Sequence, residues 1–282
     1  MQALELEVQS PDGHQAGLIA RIPDAPRANL LWLPALGIAA RHYIPFAESL
    51  AARGVAVFLH EWRGNGSSSV RASGGSDWGY RELLDDIDAS SATSTTHANG
   101  LPRMVGGHSL GGQLACIHAA LAPDSIQGVW LVASGAPYWR AFPRPMRWWL
   151  PPVVRFLQWL ARRGGALPGR KIGFGGNEAA GVITDWARTA LLGHYAATGL
   201  EGDIEQALRE FSGEVRAMTF SEDWMAPPGS LRFLLSKLAR ARVTEAHFSA
   251  SQVGAAADHY AWMKHPDAVA AWLTGTNAAE PA

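Results

Sequence analysis

Short apolar runs of strand length alternate with segments of helix length along most of the chain. Leu4 to Val8 and Gly17 to Ile22 predict two strands joined by the turn signal Pro11-Asp12-Gly13. Asn29 to Leu33 reads as a buried strand, Tyr43 to Arg53 as a helix, Val55 to Leu59 as a strand and Arg81 to Thr96 as a helix. The rhythm continues with a strand at Arg103 to Gly106, a helix from Leu110 to Leu121 that stops near Pro123, and a strand from Ile126 to Ala133. Such alternation is that of a mostly parallel sheet flanked by helices.

At Ala136 the alternation breaks. From there to about Gly202 the chain carries Pro143, Pro145, Pro151, Pro152 and Pro168, several tryptophans, and helical segments without convincing strands. We read 136–202 as a helical lid inserted into an α/β core made of 1–135 and 203–282. The core resumes with a strand from Glu214 to Phe220, a helix from Gly229 to Arg240, a last strand from Val243 to Ser249 and a closing helix from Pro266 to Leu273. The tail from Thr274 is expected to fray.

Composition narrows the class. With 282 residues, 48% hydrophobic and 17% charged, the chain can bury an ample core and is too apolar for general disorder. A formal net charge of -1 gives no global field to recruit nucleic acid, so no nucleic-acid partner is expected. The lone Cys116 forms no intramolecular disulfide and suits a reducing compartment, with the cytoplasm as default. Met1 to Gly13 lacks a basic start followed by an apolar run, so no secretion signal is read there. No metal-ligand spacing appears, and neither cofactor nor metal is expected.

The chemistry starts at Gly107-His108-Ser109-Leu110-Gly111, a G-x-S-x-G pattern. The bare pattern is common, but here a strand runs into it and a helix leaves it, as a nucleophile elbow requires. A serine on so sharp a turn needs small residues two positions before and after it, where the backbone closes up. Gly107 and Gly111 fill those places. On this pattern and its placement the chain resembles the α/β-hydrolase superfamily over nearly its full length.

The resemblance implies an eight-stranded sheet with a nucleophile after the fifth strand, an acid after the seventh and a histidine after the eighth. Ser221-Glu222-Asp223-Trp224-Met225-Ala226-Pro227 resembles the family's D-x-x-V-P loop and places Asp223 at the acid's position, with Glu222 as nearest competitor. Asp258-His259-Tyr260 resembles the G-H-F segment and makes His259 the base; His265, just before Pro266, suits a capping or surface role, and His108 packing beside the elbow. The expected triad is therefore Ser109, Asp223 and His259.

Acyl transfer also needs backbone donors for the developing oxyanion. Leu110, directly after the nucleophile, supplies one amide. Leu33-Pro34-Ala35-Leu36-Gly37 resembles the family's H-G-x-G segment and makes Leu36 the second; Pro34 has no amide to offer. Glu61-Trp62-Arg63-Gly64-Asn65-Gly66-Ser67 resembles the D-x-R-G-x-G-x-S turn after the fourth strand, with Arg63 expected to tie loops together.

Between Ala136 and Lys171 stand Arg140, Arg144, Arg147, Arg155, Arg162, Arg163, Arg170 and Lys171 without any Asp or Glu, interleaved with aromatics such as Trp148, Trp149 and Trp159. This basic, aromatic lid suits a small-molecule acyl substrate that is lipid-like or anionic, or peripheral contact with a membrane surface. The resemblance implies a serine hydrolase of esters or thioesters. Acyltransferase, amidase or peptidase, and C–C hydrolase chemistry on the same triad, and a non-catalytic binding role, stay open.

Overall fold

A computed structural model describes residues 1–276. Thr274, read as the start of a frayed tail, instead closes a helix; the rest of that reading, positions 277–282, lies outside the described residues.

The chain opens with β1 (Gln2–Gln9) and β2 (Gln15–Ile22), an antiparallel pair. β3 (Ala28–Leu33), α1 (Ile44–Ala52), β4 (Val55–Leu59), α2 (Tyr80–His97), β5 (Arg103–His108), α3 (Leu110–Leu121) and β6 (Gly128–Val132) follow as strand and helix in turn. Beyond β6 the chain leaves the sheet for α4 (Met146–Gly164), β7 (Ala166–Pro168), the single turn α5 (Gly169–Ile172), β8 (Asn177–Ala179), α6 (Ala180–Leu192) and α7 (Ile204–Glu210). It returns as β9 (Glu214–Phe220), α8 (Pro228–Leu235), β10 (Arg242–Phe248), α9 (Ala250–Val253) and α10 (Asp267–Thr274).

Eight strands pair in the order β1-β2-β4-β3-β5-β6-β9-β10, parallel from β4 to β10, with β2 antiparallel to both its neighbours. Strand β4 (VAVFL) and strand β6 (GVWLV) are buried at every position because helices cover both sheet faces, which is why they read as unbroken apolar runs. The edge strand β10 instead exposes Arg242, Glu245 and His247, polar groups that discourage pairing with another chain.

One core lies between the sheet and α2, α3, α7 and α8, around Leu83, Leu114, Ile117, Leu208 and Leu231. The other lies under α1 and α10, where Trp32, Tyr43, Phe46 and Trp262 pack with ring centroids 4.7 to 6.4 Å apart.

The segment after β6 departs from the sequence expectation within 136–202. It contains strands: β7 and β8 form a two-stranded antiparallel ribbon. Strands of three residues are too short for alternation to register in a sequence.

Candidate active site

Parallel strands direct their carboxyl ends to one side of the sheet, and the loops after β3, β5, β9 and β10 gather there. Ser109 sits between β5 and α3 with φ 54° and ψ -117°, a conformation costing about 1 to 3 kcal/mol for a residue with a Cβ. The surroundings enforce it. A Cβ on Gly107 would collide with the Gly111 backbone, and one on Gly111 with the carbonyls of Leu33 and Pro34.

Two further residues hold the elbow without any sequence signal having marked them. The Ser134 hydroxyl donates to the Ser109 carbonyl at 2.7 Å, and Ser134 follows Ala133, which is itself at φ 46°. Gly112 leaves room for that hydroxyl, since a Cβ there would collide with it.

Asp223 follows β9 and is buried, whereas the neighbouring Glu222 is exposed. Its Oδ1 accepts the amides of Met225 and Ala226 at 2.9 and 3.0 Å, which fixes the carboxylate plane. Its Oδ2 lies 2.8 Å from His259 Nδ1. A carboxylate can only accept, so Nδ1 carries a proton, and the neutral form of the ring then presents Nε2 as an acceptor. That Nε2 is buried and has no hydrogen-bond partner. The Glu222 amide donates to Ala257 at 2.9 Å and joins the acid's loop to the histidine's.

The competing histidines differ in setting. His265 is exposed, beside the start of α10. His108 is buried, with its ring centroid 4.7 Å from that of His259 and its Nδ1 2.8 Å from the Tyr43 hydroxyl. Burial, and then repulsion from His259, push the His108 imidazole well below its ordinary range, so it stays neutral and packs.

Tyr43 was not legible as a site residue, yet its hydroxyl also accepts the Ala35 amide at 2.9 Å. Ala35 is thereby committed, which leaves Leu36 as the next amide in that loop. Among the described residues, neither Leu36 nor Leu110 donates its amide to another group of the chain. Both residues line the same cavity as Ser109. The loop is clamped from above: a Cβ on Gly37 would collide with the Gly175–Gly176 backbone, and Glu178 Oε1 accepts the Gly176 amide at 2.7 Å. Burial pushes the Glu178 carboxyl up to about 7.

The cavity measures about 200 Å³ and is walled by α4, α6 and the loops of the sheet, with Phe142, Met146, Leu150, Leu157, Phe174 and Trp186 supplying apolar surface. No charged side chain lines it, and none of the eight basic residues of 136–171 reaches it. A second concavity carries His259, Asp258 and Lys264 and shares Phe174, Trp224, Met225 and Tyr260 with the first. Among the described residues no group of three or more His, Cys, Asp or Glu is placed to hold a metal ion.

Residues 24–185 match the family model described as serine aminopeptidase, S33. No curated protein matches the chain in sequence. Among solved structures, DcsB in complex with its substrate analogue is similar with a TM-score of 0.67 at 14% identity, covering 97% of each chain. Est1E from Butyrivibrio proteoclasticus with ferulic acid bound gives 0.64 at 14% identity, over 96% of this chain and 98% of that one. A monoacylglycerol lipase from Paleococcus ferrophilus gives 0.59 at 17% identity, over 98% and 99%. At such identities the likeness is one of fold.

Proposed function

The chain belongs to the serine aminopeptidase S33 family of α/β-hydrolases, and from that membership and the geometry of the site we propose that it hydrolyses a carboxylic ester or thioester through an acyl-enzyme on Ser109. The observation that carries this reading is the buried Asp223–His259 pair, whose Nε2 is left without a partner on the sheet edge where Ser109 is held in its strained turn.

His259 Nε2 takes the proton of Ser109 Oγ as the hydroxyl attacks the acyl carbonyl. The amides of Leu36 and Leu110 hold the resulting oxyanion; losing one such donor typically costs about 3 to 4 kcal/mol of transition-state stabilisation. The imidazolium, stabilised by Asp223, then gives its proton to the departing alkoxide or thiolate. Water, deprotonated by the same nitrogen, releases the acid and restores the serine.

The cavity selects the acyl group. Its uncharged, apolar wall suits a hydrocarbon acyl chain and gives no counter-ion to an anionic one, so the arginines of 136–171 do not recognise the acyl group from within. Residues 136–202 act as its lid. A cytoplasmic setting fits the single cysteine, which is free and buried.

The test is labelling with a fluorophosphonate, with the adduct located by mass spectrometry, followed by p-nitrophenyl esters of increasing chain length. Labelling at Ser109 that disappears in Ser109→Ala supports an activated serine. Folded protein that takes no label and turns over no ester would sink the reading in favour of a binding role.

A further inference from the structure

Helix α4 is apolar on two faces. Val154, Leu157 and Ala161 form a buried seam, packed in clusters with Ile183, Ala187 and Ala190 of α6. Away from that seam Trp148, Trp149, Phe156 and Trp159 are 58%, 69%, 55% and 56% exposed. Four large aromatics left in water on one helix form the kind of patch that marks an interaction surface.

The charges around them are free as well. Arg155, Arg162 and Arg163 are exposed and line a shallow depression with Gln158 and Trp159. Among the described residues none of the eight basic groups between 136 and 171 is within ion-pair distance of a carboxylate, whereas Arg21, Arg53, Arg63 and Arg188 each have one. Arg140 and Arg147 lie over the rings of Trp139 and Trp148, at 4.9 and 5.0 Å from the centroids, but the charges of Arg155, Arg162 and Arg163 have no carboxylate partner within the described residues.

We propose that this face of α4 docks onto an anionic phospholipid surface. Tryptophan rings sit well at the headgroup level, and unpaired arginines gain from anionic headgroups. A second copy of the chain fits poorly, because a twofold contact would set the same acid-free basic patch against itself. The contact is peripheral, since no helix among the described residues is long and apolar enough to cross a membrane.

The face also leads inward. Val153 is 47% exposed and lines the cavity, so one residue belongs to both the outer surface and the acyl site. A bilayer held against α4 would bring apolar acyl substrates to the cavity's wall. That last step rests on the ester-hydrolase reading; the docking itself does not.

Docking is measured by co-sedimentation of the full chain with phosphatidylcholine vesicles, with and without phosphatidylglycerol, using native protein and Ser109→Ala. Both should bind anionic vesicles alike, at least about tenfold more tightly than neutral ones, with binding weakened by salt. The triple variants Trp149→Ser/Phe156→Ser/Trp159→Ser and Arg155→Gln/Arg162→Gln/Arg163→Gln, each confirmed as folded by an unchanged melting curve, should each lose most of that binding. Equal affinity for both vesicle types, no binding, or full binding by the variants would overturn the proposal. So would a stable dimer that shields these tryptophans from an aqueous quencher. If fluorophosphonate labelling fails while vesicle binding holds, the enzymatic reading falls and the docking surface stands.

Discussion

His14–Asp86 and His259–Asp223 are both buried histidine–aspartate pairs, and the one with the more complete hydrogen bonding is the one to which we assign no catalysis. In the first turns of the chain, His14 Nδ1 lies 3.1 Å from Asp86 Oδ1 and its Nε2 lies 2.9 Å from Ser68 Oγ. At the sheet edge, His259 is 2.8 Å from Asp223, but its Nε2 has no partner. The difference lies in what each reactive atom is free to do. Ser68 Oγ also accepts the Gly64 amide at 2.9 Å, and Asp86 also takes the Ser10 hydroxyl and the Arg63 guanidinium, which reaches on to Asp12. Burial works against the charge on Asp86, but these hydrogen bonds outweigh it and hold the carboxyl below its usual range. Every lone pair of consequence is committed, and no strained turn presents Ser68 to a cavity. The cluster ties β1–β2, the turn after β4 and α2 together. Ser109 is the opposite case: its backbone is strained and it lines a cavity, while His259 Nε2, in a loop at the same end of the sheet, is unsatisfied.

The largest contrast should appear in rate. Ser109→Ala or His259→Asn should lower ester hydrolysis by about 10⁴-fold or more, while Ser68→Ala keeps the turnover of its folded fraction within a few-fold. Steady-state kinetics normalised to folded protein decides this, and an inactive Ser68→Ala alongside an active Ser109→Ala would reverse the assignment.

The carboxylates should separate in stability. Asp86→Ala strands the buried Arg63 and His14 and should cost about 3 to 5 kcal/mol in chemical denaturation. Asp223→Asn preserves shape and should cost far less stability, but should lower turnover by about 10⁴-fold because the ring loses its orientation.

A smaller effect belongs to the clamp over the Leu36–Gly37 loop. The folded state favours the neutral Glu178, whose carboxyl is raised to about 7 from 4.5. Its contribution is therefore whole below pH 4.5 and is lost as pH rises to about 7, an amount on the order of 3 kcal/mol. Denaturation of Glu178→Gln at about pH 5 and about pH 8 should show a flatter profile than native protein; an unchanged slope would assign the pH dependence to other groups.

Least of all should happen at Cys116. Burial alone pushes its thiol up to about 12, so native protein should resist alkylation at neutral pH and react fully once unfolded. Rapid modification of the folded chain would show that α3 opens.

Local sequence carried much of this. The strands and most helices were readable because apolar runs and turn residues are local properties, and the elbow was readable because Gly107 and Gly111 must be small wherever a strand turns so sharply into a helix. Asp223 and His259 were reached through loop resemblance, and the structure brings them into hydrogen-bond contact. Helix α7 was missed: it is seven residues long, and its signal is the Asp203 side chain accepting the Gln206 amide at 3.1 Å.

What only the tertiary structure decided are the contacts between distant elements and the direction of faces. His14 and Asp86 are 72 positions apart, and Tyr43 meets His108 across 65; no local pattern encodes either meeting, because strand order in the sheet creates it. Nor could periodicity orient α4. A helix with apolar residues on two sides satisfies the same pattern whichever side turns inward. Packing against α6 buries Val154, Leu157 and Ala161, so the tryptophans and arginines are left outside the cavity that the sequence alone allowed them to line.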